Sequence, residues 1–126
     1  MLSKIMIKYH NTPNDTVIAE LTDEKFIISQ AQDILDIIGD MVSYDCSRII
    51  IYKKNLHDDF FELKTGLAGD ILQKFSNYKV KLAIIGDFSK YKSKSLHNLI
   101  TECNTGTMIF FTDTLDSAIV KLTPDH

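Results

Sequence analysis

Residues 80–95, VKLAIIGDFSKYKSKS, set an apolar run against an abrupt stop at Gly86, followed by a polar, lysine-rich loop that ends in a serine helix cap. A strand that is apolar on both faces must be covered on both, and parallel sheets packed by helices are where that occurs. RIIIY at residues 48–52 repeats the pattern with three consecutive β-branched side chains. Strands of this kind, spaced by helical periodicity, need crossover connections, so the chain reads as α/β. Loops leaving the carboxyl ends of such strands are where open α/β folds place ligands.

The remaining elements fit around these two strands. At residues 4–10, Ile5, Ile7 and Tyr9 alternate with Lys4, Lys8 and His10; a second run covers 16–21, after a break rich in Asn, Pro and Asp. Together they predict an antiparallel hairpin. Ser29 and Gln32 have capping-box spacing, and Ala31, Ile34, Leu35, Ile38, Met41 and Val42 share one face, which predicts a helix over 30–43. Gly66 and Gly69 argue against one long helix between 55 and 78. A short turn over 58–63, marked by Asp59 and Glu62, is expected first, then a helix capped by Thr65. A strand over 80–85, a helix over 94–103 stopped at Gly106, a strand over 108–111 and a helix over 115–122 opened by Asp113 and Asp116 follow. The order ββαβαβαβα predicts a mainly parallel five-stranded sheet with right-handed crossovers. The first strand alone runs antiparallel, at or near an edge. By length, residues 1–126 are expected to form a single α/β domain.

Composition narrows the function classes. Apolar residues make up 44% and charged residues 25%, values of a soluble globular protein. The longest apolar runs fall far short of the roughly 20 residues that cross a bilayer, so no membrane association is expected. A net charge of −3 argues against a general nucleic-acid binder, which needs cations to neutralise phosphates. The amino end, MLSKIMIKYH, interrupts its apolar residues with lysines and does not read as a signal peptide, so the expected localisation is cytoplasmic. Cys46 and Cys103, distant in sequence, then read as reduced, partly buried thiols.

Candidate chemistry gathers at the carboxyl edge. Thr65 and Gly66 stand at a helix amino end, where free N–H groups and the helix dipole favour an anion; the plainer alternative is an ordinary cap. Lys53 and Asn55 leave one central strand, while Asp87, Phe88, Ser89 and Lys90 leave the next, followed by Tyr91, Lys92 and Lys94. Their ammonium groups could surround an anion or an acidic partner surface, or they could form a solvated loop. Asp87 has no companion for acid–base work, no Gly-x-Ser-x-Gly elbow or phosphate loop occurs, and no catalytic residue is assigned. His57, Asp58 and Asp59 are adjacent rather than convergent, and His10, His97 and His126 are scattered, so neither a metal nor another cofactor is expected. Of Phe60 and Phe61, at least one is read as core or as a plug over the sheet edge.

The segment NLHDDFFELKTGLAGDILQKFSNYKVKLAIIGDFSKYKSKSL, residues 55–96, resembles the bacterial family catalogued as domain of unknown function 4180. That resemblance implies a small bacterial cytoplasmic protein of unassigned function. More distantly, the element order, TGLAGDIL at 65–72 and IFFTDTLDSAI at 109–119 are similar to STAS domains, the anti-sigma-factor antagonist fold. In STAS antagonists a Ser or Thr before the corresponding Gly-Leu is phosphorylated by a partner kinase, which implies Thr65 as the acceptor here. This chain has Leu63 and Lys64 in place of the usual Asp-Ser pair, and a longer lead-in over 55–63.

Three readings result. The first is a regulatory protein-interaction module that binds an unidentified protein partner and is tuned by phosphorylation or an anion; it predicts a groove without a deep pocket. The second is a binding protein or minor enzyme for a small anionic metabolite, with Asp87 and Ser89 orienting the ligand; it predicts an enclosed cavity and a perturbed titratable group. The third is a homodimer built on the exposed edge strand.

Overall fold

A computed structural model describes residues 4–124; His126, read above with the scattered histidines, lies outside them. The chain runs β1 (Ile7–Asn11), β2 (Val17–Leu21), α1 (Asp33–Val42) and β3 (Arg48–Tyr52), then three short 3₁₀ turns at Lys53–Asn55, Asp58–Phe61 and Leu63–Thr65. It continues as α2 (Leu67–Asn77), β4 (Lys81–Ile85), α3 (Lys94–Thr105), β5 (Ile109–Thr112) and α4 (Leu115–Leu122). The strands lie in the order β1-β2-β3-β4-β5, antiparallel between β1 and β2 and parallel thereafter. This is the mainly parallel five-stranded α/β sheet with one antiparallel edge strand that the element order predicts.

Each parallel crossover steps to the next strand in the same direction. With right-handed connections, all three crossover helices must then fall on one face. Side-chain alternation confirms it: Ala19, Ile49, Leu82 and Ile84 pack with residues of α1, α2 and α3, whereas Ile18, Ile50, Ala83 and Phe110 pack with Ala118 and Leu122 of α4. Helix α4 follows the last strand, makes no crossover and takes the opposite face. Arg48 Nε donates to the Leu122 carbonyl at 2.7 Å, satisfying one of the acceptors that a helix leaves free at its carboxyl end. Cys46 is buried and Cys103 half-buried, and burial pushes both thiols up.

Three caps differ from expectation. Helix α1 starts three residues later than its periodicity suggests, because the Asp33 carboxylate, rather than Gln32, receives the Ser29 and Gln30 N–H groups at 2.9 and 3.2 Å. Thr114 Oγ1, rather than Asp113, caps α4 by accepting from the Ser117 N–H at 3.1 Å. His57 Nδ1, rather than Asp59, accepts the N–H that opens the Asp58–Phe61 turn. Ser93 caps α3 through the Leu96 N–H, and Gly106 follows its last turn as expected.

Candidate functional site

The carboxyl ends of β3 and β4 are joined by aromatic side chains. Gly86 leaves β4 so close to Lys53 that a Cβ there would lie 2.6 Å from the Lys53 Cβ, which makes this a position for glycine. That close approach sets the Lys53 ammonium 4.9 Å from the centre of the Tyr91 ring, at cation–π distance. Tyr91 in turn stacks on Phe61, with centroids 4.9 Å apart and planes 16° from parallel. Phe61 meets Phe60 edge-on and Phe88 at 6.0 Å, and Phe88 stands edge-on to Phe111 of β5. Phe60 and Phe61 are both buried, so both act as the plug expected of at least one. His97 Nε2 lies within hydrogen-bond distance of the Tyr91 carbonyl and fixes the loop to α3.

Around this seam the anticipated residues take different roles. Lys90 and Ser89 are exposed, and Phe88 is half-buried in the stack. The Asp87 carboxylate accepts from the Ser89 hydroxyl at 2.6 Å and the Ser89 N–H at 3.0 Å. These two bonds, then the nearby Lys90 and Lys53 charges, hold its carboxyl below the usual carboxylate range. Asn55, anticipated on the binding edge, is instead 1% exposed. Its Oδ1 accepts from the Tyr52 N–H at 3.1 Å, and its Nδ2 donates to the Asp23 and Phe26 carbonyls at 3.0 Å each. Every polar atom of that side chain is used within the protein, where it braces the β2–α1 connection against the end of β3.

Thr65 closes the turn before α2, and Gly66 (φ +83°) occupies the cap position, one residue later than expected. The exposed Thr65 Oγ1 accepts from the Leu67 N–H at 3.2 Å, and its hydrogen points back toward the Asp59 and Glu62 carbonyls, at 2.7 and 2.9 Å. Through Asp59 the hydroxyl is tied to the turn that carries Phe60 and Phe61, and through Phe61 to Tyr91 and the lysine-rich loop. Thr65 is thereby linked, through contacts within the fold, to the loop that carries Lys90.

Open clefts mark the surface. One of about 510 Å³ lies beyond Phe88 at the ends of β4 and β5, with Asp87, Asp113, Ser117 and Lys121 on its walls. Another of about 700 Å³ lies between the β2–α1 connection and α1, lined by Lys25, Phe26, Asp36 and Asp40. Among the described residues no three His, Cys, Asp or Glu side chains are grouped to hold a metal ion, and no helix is long and apolar enough to cross a membrane.

A polar network across β1, β2 and β3 escaped the sequence reading. Glu20, 8% exposed, places Oε1 2.8 Å from His10 Nε2 and accepts the Tyr52 hydroxyl on Oε2 at 2.6 Å. Burial and the Glu20 bond push the Tyr52 phenol up to about 12. Tyr9, stacked on Tyr44, donates to Asp40 at 2.6 Å, and burial with this bond raises it well above the ordinary phenol value. A single Glu within the apolar run VIAEL was the available signal.

The family model described as "Domain of unknown function (DUF4180)" matches residues 13–122. No curated protein matches the chain. Among solved structures, a candidate anti-sigma factor antagonist from Thermotoga maritima is similar with a TM-score of 0.49 and 12% identity, over 93% of this chain and 94% of that one.

Proposed function

From the premise that the chain belongs to the family described as Domain of unknown function (DUF4180), we propose that it is a regulatory protein-interaction module whose docking face is the carboxyl edge around Thr65, Asp87, Phe88, Ser89 and Lys90. The observation that carries this reading is the strand order. In open α/β sheets the ligand crevice opens where the winding reverses direction. Here β2 to β5 advance one way only, and the edge above β3 and β4 is filled by Phe60, Phe61, Phe88 and Tyr91. What this edge offers is a firm surface, suited to another macromolecule more than to a buried metabolite. The similarity of TGLAGDIL to the STAS phosphoacceptor segment supports Thr65 as the regulated position.

Phosphorylation of Thr65 would remove the hydrogen now directed at the Asp59 and Glu62 carbonyls and set a dianion beside them. The turn under Phe61 would lose its latch, while the amino end of α2 would attract the new charge. Modification would thus reshape the docking face.

Affinity capture from the protein's own cell extract, with the wild type, Thr65→Val and Thr65→Glu, tests this alongside thermal shifts with phosphate, nucleotides and sugar phosphates. A reproducible protein partner lost on Thr65→Glu is expected. Stabilisation of ~2 kcal/mol or more by one defined metabolite, with no protein captured, would overturn the module in favour of a ligand-binding protein. A partner retained by both variants would remove the phosphoswitch alone.

A further inference from the structure

The carboxyl-edge face is bipolar. On the β3 side of the Phe61–Tyr91 seam, the turns carry three exposed carboxylates, Asp58, Asp59 and Glu62, against one exposed ammonium, Lys64. On the β4 side, the loop and the first turn of α3 carry three exposed ammonium groups, Lys90, Lys92 and Lys94, against one exposed carboxylate, Asp87, and the Lys53 ammonium lies over Tyr91. The two lobes do not neutralise one another. Among the described residues the ion pairs within 4.0 Å are His10–Glu20, Lys54–Glu24 and His57–Asp59, so none of these lysines meets a carboxylate at that distance. Asp59 meets only the His57 ring, at 3.7 Å.

A rigid face that holds opposite charges apart is complementary to itself. Rotation by a two-fold axis through the seam sets each acidic lobe against the basic lobe of the other copy, the isologous arrangement of most homodimers. An acidic peptide would meet only one lobe and be repelled by the other. We propose that this face binds a second copy of the chain, acidic lobe to basic lobe. The inference goes beyond the module reading, and a dimer formed this way covers the face that a partner would use, so the two complexes exclude each other. Exposed ion pairs each contribute little, and the buried aromatic seam offers little apolar surface for contact. The dimer is therefore weak and dissolves in salt.

Sedimentation velocity of the full chain at ~200 µM, in ~25 mM and ~500 mM salt, reads this directly, because the Debye length falls several-fold between those conditions. The wild type is expected above its monomer mass of 14.4 kDa at low salt and at that mass at high salt. Lys90→Glu/Lys92→Glu makes the face acidic and Asp58→Lys/Glu62→Lys makes it basic. Each variant alone is expected to be monomeric with an unchanged circular dichroism spectrum, and an equimolar mixture to recover the dimer mass. A wild type that stays at 14.4 kDa in low salt overturns the inference. So does a dimer indifferent to both reversals, which would place self-association elsewhere, as at the open edge of β1, and so does a mixture that remains monomeric. A wild type that is monomeric yet captures a protein partner removes the dimer and leaves the module reading intact.

Discussion

Replacing Asn55 separates a structural role from a binding role at a position whose sequence context suggests ligand contact. In Asn55→Ala three hydrogen bonds to backbone groups are lost at once, those of the Tyr52 N–H and of the Asp23 and Phe26 carbonyls at 3.0–3.1 Å, and the Asp23 carbonyl keeps the Phe26 N–H. Each lost bond at a buried site costs about 1–1.5 kcal/mol, and the three together about 3–4 kcal/mol. Against a typical stability of about 5–15 kcal/mol that is a large fraction. For a chain of this size it corresponds to a fall of roughly 10–20 °C in Tm. Urea and thermal unfolding followed by circular dichroism measure it. Asn55→Asp sharpens the test, since it keeps the acceptor for the Tyr52 N–H but turns a second oxygen toward two carbonyls. The ionised form is disfavoured there, so the folded-state carboxyl titrates above the unfolded value of about 3.9. Stability relative to the wild type is then fully present below about pH 3.9 and lost as pH rises through the folded value. An Asn55→Ala loss under about 1 kcal/mol, or an Asn55→Asp defect independent of pH, would refute the brace.

Two glycine substitutions probe opposite constraints. Gly66→Ala has open space around its Cβ but a φ of +83°, so it should cost about 1–2 kcal/mol through the backbone alone, read by urea denaturation. Gly86→Ala meets the Lys53 Cβ at 2.6 Å instead. It should cost about 1–3 kcal/mol by overpacking and loosen the Lys53–Tyr91 contact, visible as a shift of the Tyr91 ring protons; an unshifted ring with unchanged stability counts against a rigid seam. Alkaline spectrophotometric titration should find Tyr52 ionising near pH 12, with Tyr52→Phe deleting that step. Because the folded value exceeds the unfolded one near 10, the Tyr52 contribution to stability is intact below about pH 10 and lost toward pH 12. Ionisation of every tyrosine near pH 10 would exclude the Glu20 bond.

The architecture was legible because periodicity is a local property. Arg48–Tyr52 and Leu115–Leu122 fall at their expected limits, since apolar runs with turn residues at both ends leave little freedom. Strand ends governed by a neighbour moved: β5 extends to Thr112, whose carbonyl receives the Gly86 N–H at 3.0 Å, a partner no local pattern names. Caps failed for a related reason. Spacing identifies the polar residues near a helix start, but which oxygen reaches the free N–H depends on side-chain torsion, and Asp33 and Thr114 reached where Gln32 and Asp113 did not. The Asn55 role depends on carbonyls 29 and 32 positions away, so a polar residue after a strand looked like part of a surface.

The site was half legible for a deeper reason. Apolar strands ending together implied that hydroxyl, carboxylate and ammonium groups would gather at one edge, and the contacts there are a Thr65 bond to the Asp59 carbonyl, the Phe61–Tyr91 stack and the Lys53 ammonium over Tyr91. Whether the edge opens or closes, however, is set by winding direction, which composition and spacing leave free. A sheet that reverses parts two loops and leaves a crevice between them; a sheet that advances one way keeps neighbouring loops adjacent, so their side chains interlock. Phe61 and Tyr91 come from separate loops and stack at 4.9 Å because β3 and β4 are neighbours and both loops lie on the three-helix side. With the space between these two loops taken up by the stacked rings, the charged groups are left at the rim, carboxylates of Asp58, Asp59 and Glu62 and ammonium groups of Lys90, Lys92 and Lys94.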